Sequence, residues 1–237
     1  MSLDEFISHD QYNLEHILAG LPHVRGLMEK LDGLYDSARS LMPPVGDEPK
    51  LICAQCLTLC HKGLLGAAAT IGRRHPDDAG PVTRRVIEAA ALSISVKHDV
   101  ANVERWKAED KIKYPEHPTL EELRRFKGDL SDVVVHFTPG FVARRPWRHE
   151  VKDGLDFMGF AYSEPHMHVI ADAFATLSAI HLRVIALFDE CFDRAFSQNH
   201  DWEVRWKDAQ SLHKVVSTWA KDVKAKPEEG DSHGSTQ

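Results

Sequence analysis

Cys53, Cys56, Cys60, Leu64, Ala67 and Ile71 recur every three or four positions. Ile170, Ala173, Leu177, Ile180, Val184, Leu187, Cys191 and Ala195 repeat the same interval later in the chain. An α-helix turns once in about 3.6 residues, so each run puts an apolar stripe on one helical face. Stripes of this length exceed what a strand carries, and each must be covered by another element. The chain is therefore read first as packed helices.

The remaining segments fit that frame. A helical signal over residues 9–42 is interrupted at Gly20-Leu21-Pro22 and stopped by Pro43-Pro44, and a second covers 48–71 with Gly72 placed to close it. A third is predicted from Val82 to the region of Trp106, on a narrow stripe of Val82, Val86, Ala89, Ser93, Val96, Val100 and Val103. Thr119 and Glu122 have the spacing of a capping box, in which hydroxyl and carboxylate each take an amide of the other residue. The helix that follows is predicted to run to Phe137. Asp153-Gly154, between two apolar arms, suits a tight hairpin turn. A long helix is expected over 163–198 and a last one over 201–224. These readings predict an all-α antiparallel bundle with one β-hairpin insertion near residues 141–162. A single domain spans 1–225, and 226–237 forms a disordered polar tail.

The 237 residues carry a net charge of -7, so no basic footprint for nucleic acid covers the chain as a whole. The acidic start, Met1 to Phe6, lacks the cationic lead of a secretory signal, and the apolar run at 169–196 contains too many charges for a membrane span. Three of the four cysteines fall within eight positions, unlike a spread disulfide framework. A cytoplasmic protein with no membrane partner is expected. No Gly-rich phosphate loop, HExxH or G-x-S-x-G elbow is found, and no cofactor is predicted.

Several residues have the chemistry of a site. Cys53, Cys56, Cys60 and His61 look like metal ligands, but the three-then-four spacing of the cysteines is a core pattern, so packing is the expected role and no metal is assigned. His166 and His168 are two apart, the wrong interval for one helical face. His181 and His213 lie on apolar stripes and are read as hydrogen-bonded core or interface histidines. Arg85 and Glu88 share a face and are expected to meet Ser131 and His136 in a buried polar network. Trp202, Trp206 and His213 on the last helix mark a candidate interface for a second copy or a protein partner.

Two resemblances attach to these residues. Arg84-Arg85-Val86-Ile87-Glu88 with the later Ser131-to-Pro139 segment resembles a bacterial helical family of unknown function, which has an Arg-x-x-Glu helix and a serine, acid and histidine before a proline. That likeness implies a fold and a polar centre. Arg194-x5-His200 resembles the motif of the HEPN superfamily, which implies a metal-independent ribonuclease. There Arg194 would stabilise phosphate charge and His200 would move a proton.

The expected function is a binding or oligomerising bundle, as a homo-oligomer or with a protein partner. The alternative is a HEPN-like ribonuclease, a toxin or defence effector, with RNA as partner under that reading alone.

Overall fold

In the computed structural model, residues 3–130, 147–152, 155–160 and 167–225 are described. The class is all-α. Among the described residues the helices are α1 (Leu3–Gly20), α2 (Pro22–Leu41), α3 (Glu48–Gly72), α4 (Ala79–His98), α5 (Ala101–Lys107), α6 (Pro118–Leu130), α7 (Met167–Cys191) and α8 (His200–Ala225). Backbone segments β1 (Trp147–Lys152) and β2 (Leu155–Phe160) pair antiparallel, from Trp147 opposite Phe160 to Lys152 opposite Leu155. Asp153, Gly154, Ser131, His136, His166 and the tail 226–237 lie outside the described residues.

Local chemistry sets the helix starts. Pro22 opens α2, where a missing N–H costs nothing, and this separates α2 from α1 at Leu21. At α3, the Asp47 carboxylate accepts the Lys50 N–H at 2.8 Å and Pro49 occupies the first turn. The end of α3 differs from expectation. Gly72 is the last helical residue, and the left-handed position is Arg74, at φ 68°. Gly72 instead serves packing, because a Cβ there would lie 2.6 Å from Leu14 Cδ1 of α1.

The third predicted helix is in fact two. It breaks at Asp99, whose backbone is extended and whose carboxylate accepts the Ala101 N–H at 3.0 Å. Buried Asn102 donates to the Ser95 and Lys113 carbonyls and accepts the Lys113 N–H, fastening the 108–117 connection to α4. Val100, counted on the predicted stripe, is 64% exposed. The stripe on α4 is also broad, since Ile87, Ala90, Ala91 and Ile94 are buried beside Val86 and Val96. Thr83, Ser93 and Ser95 are buried too, each hydroxyl donating to the carbonyl four residues back.

α7 lies at the centre, packed on α2, α3, α4, α6 and α8, while α2 closes on α8 and α3 on α4. Phe174, Phe188, Leu177, Ile180 and Val184 of α7 join Leu27, Leu31 and Leu34 of α2 and Leu57 and Leu64 of α3 in one core. α3 and α4 approach closely at Gly63, where an added Cβ would collide with Val86 Cγ2. α7 stops at Cys191, seven residues before the predicted end, and Asp193 and Arg194 turn left-handed at φ 57° and 62°.

Candidate functional site

The C-terminal end of α7, the 192–199 turn and the first two turns of α8 enclose an open cleft of about 300 Å³. Ile185, Ala186, Trp202 and Trp206 supply its apolar surface, and Asp189, Glu190, Arg194 and Glu203 its charges. Asp189 builds the turn: its Oδ1 accepts the N–H groups of Phe196 at 2.9 Å and Ser197 at 3.1 Å. Asp193 anchors the same turn to the bundle through Lys97 and, at 3.5 Å, Lys50. Those ties hold Arg194 in a conformation that side-chain-bearing residues seldom adopt.

Arg194 thus lines the cleft. His200, the other half of the Arg-x5-His pair, begins α8 and is not among the cleft-lining residues. The aromatic pair divides as well. Trp202 is 4% exposed and packs on Phe196, with ring centroids 5.1 Å apart, so it belongs to the chain's own core and not to an outer interface. Trp206 is half-buried, its ring within 12° of parallel to that of Trp202 at 6.4 Å. His213 is internal in role: its Nδ1 lies 2.8 Å from the Ser178 hydroxyl, joining α8 to α7, and burial followed by the Arg183 charge lowers its pKa.

The expected Arg85–Glu88 network takes a different form. Arg85 is exposed. Arg84, one position earlier, reaches Glu88 at 3.1 Å, and Lys127 of α6 joins at 2.8 Å. Burial acts to raise the Glu88 pKa, but hydrogen bonds from Lys127 and Arg84 outweigh it and hold the carboxylate below its usual range. Glu122, expected to cap its own helix, pairs across to Arg183 of α7.

Cys53, Cys56, Cys60 and Cys191 are all buried and free of disulfides. Cys53 and Cys60 donate to the Ser93 and Val86 carbonyls of α4, each at 3.5 Å. Burial pushes the Cys60 thiol well above its ordinary pKa, so it is an inert packing group. Among the described residues, no three His, Cys, Asp or Glu side chains gather as a metal site.

His181 is a hydrogen-bonded core histidine, as its apolar stripe suggests, but the cluster it joins was not expected. Tyr35 of α2 sits 2.7 Å from Nδ1 of His181 on α7 and stacks on the His61 ring of α3, at 5.0 Å and 8°. His61, which the stripe of α3 turns outward, is buried and meets Asp32 at 2.5 Å. Burial, aided by the nearby His61, lowers the His181 pKa to about 3. The sequence signal for the cluster was His181 on an apolar stripe, and nothing local names Tyr35 or His61 as its neighbours. Compared with known proteins, the chain matches no protein-family model, no curated protein and no solved structure.

Proposed function

We propose that this chain is a binding module, a helical bundle that takes a small ligand in the cleft between α7 and α8. One observation carries the reading: the cleft combines a pinned turn, an apolar wall containing Trp206, and Arg194, which makes no ion pair among the described residues. Concave apolar surface with a few fixed polar groups is the usual form of a ligand site. The Tyr35–His181 cluster is read as structural, because a neutral, sealed histidine fixes helix register without reaching a substrate.

Self-association belongs to the same reading. Leu51, Leu59 and Leu65 leave large apolar side chains about half exposed on α3, which supports a face for a second copy or a protein partner. By length and composition alone, α3 and α7 are apolar enough to cross a membrane. The most apolar stretches of the two helices are 44% and 56% buried within the bundle, and we take them as its core in a cytoplasmic protein. The β1–β2 pair is read as a hairpin inserted between α6 and α7.

A thermal-shift screen of small molecules tests the cleft. Hits are expected to move the indole NMR resonances of Trp202 and Trp206 and leave that of Trp106 in place. Hits that map elsewhere, or a screen without hits, would overturn the reading. The ribonuclease alternative draws support from the unpaired Arg194 alone. Chelator-resistant RNA cleavage that vanishes in His200→Ala would replace the binding reading.

A further inference from the structure

We infer that the cleft selects a small, flat organic monoanion, such as a carboxylate on an aromatic body; this rests on reading the cleft as the binding site. The charges of the lining decide the class. Asp189 is engaged by the Phe196 and Ser197 amides, at 2.9 and 3.1 Å. Glu190 is within hydrogen-bond distance of the His117 ring at 2.9 Å, and Glu203 pairs with Lys207 at 2.6 Å. Arg194 is the one charged side chain of the lining without a partner among the described residues. A guanidinium presents a planar fork of donors that suits a carboxylate, and here nothing within the protein occupies it.

Arg194 is the single cation of the lining, so one anionic group can be paired there, and the further phosphates of a nucleic-acid backbone would find no second cation. Size agrees, since about 300 Å³ is at the lower end for ligand pockets and admits about one ring system with a short polar arm. Half-buried Trp206, backed by the core Trp202 at 6.4 Å, supplies apolar aromatic surface for that ring. Because the turn is tied down at Asp189 and Asp193, the backbone that carries Arg194 is fixed beside the cleft.

Three probes with one aromatic body and different charges test this: cinnamate, cinnamyl alcohol and cinnamylamine. Each is titrated into the full chain while the indole resonances of Trp202 and Trp206 are followed by NMR. Cinnamate is expected to bind about tenfold more tightly than the alcohol, and to fall to the alcohol's affinity in Arg194→Gln. Arg194 is exposed, so this variant folds as the parent does. Cinnamate binding no tighter than the alcohol, tighter binding of the amine, or an unchanged cinnamate affinity in Arg194→Gln overturns the anion inference while leaving the cleft as a site. If none of the three moves either indole, the binding reading falls with it.

Discussion

The Tyr35 hydroxyl and the His181 ring meet 2.7 Å apart in the centre of the bundle, with both residues fully buried. A neutral imidazole offers one donor and one acceptor nitrogen, so Tyr35 satisfies Nδ1, while Nε2 has no partner among the described residues. Removing the hydroxyl would leave a second buried polar atom unpaired. Tyr35→Phe is therefore expected to lose about 1–3 kcal/mol of stability in urea denaturation. A loss below experimental error would show that the contact contributes nothing.

The same histidine couples stability to pH. Its folded pKa is about 3, below the roughly 6.5 expected in an unfolded chain. Between those values the unfolded state binds the extra proton. The His181 contribution is thus whole above about pH 6.5 and is lost as pH falls toward 3, by up to about 1.4 kcal/mol per unit. Denaturation midpoints of the parent and His181→Phe, compared between pH 7 and 4, should converge on the acid side. Parallel pH profiles would refute the assignment.

Two glycines on α3 should respond oppositely to alanine. At Gly63 a Cβ would collide with Val86, so Gly63→Ala is expected to destabilise by about 1–3 kcal/mol. At exposed Gly66 the nearest atom is Val82 Cγ1, at an ordinary 3.9 Å. There the gain in helix propensity dominates, and Gly66→Ala should stabilise by up to about 1 kcal/mol. Thermal melts that shift both variants the same way would contradict the packing described.

Trp202 and Trp206 are neighbours with different roles. Trp202→Ala opens a cavity beside Phe196 and should cost about 3–5 kcal/mol. Trp206→Ala, at a half-buried cleft position, should cost clearly less. Equal losses in chemical denaturation would place both tryptophans in one environment.

Arg84 and Arg85 separate the observed ion pair from the expected one. Arg84→Ala should cost about 0.2–1 kcal/mol and raise the Glu88 pKa, as followed by carboxyl NMR titration. Exposed Arg85→Ala should change stability by less than about 0.5 kcal/mol and leave Glu88 as it was. The reverse pattern would restore Arg85 to the network.

What the amino-acid order determined by itself is local. The period of Cys53 to Ile71 and of Ile170 to Cys191 dictates helix, because a stripe at that spacing can be covered only when the backbone coils. Pro22 likewise marks a helix start through a group within a turn of itself. Partners and ends chosen across space were not legible. Arg84 and Arg85 stand four and three residues from Glu88, both within helical reach, and the burial of one side of α4 together with the arrival of Lys127 decides between them. His61 lies off the stripe of its own helix, yet α2 brings Tyr35 and Asp32 to cover it. No breaker in the sequence stops α7 at Cys191. Asp189 drawing in the amides of residues 196 and 197, with Asp193 tied to Lys97, turns the chain there and forms the cleft. Helical periodicity involves neighbours a few residues apart, whereas these contacts join residues that only the packed bundle brings together.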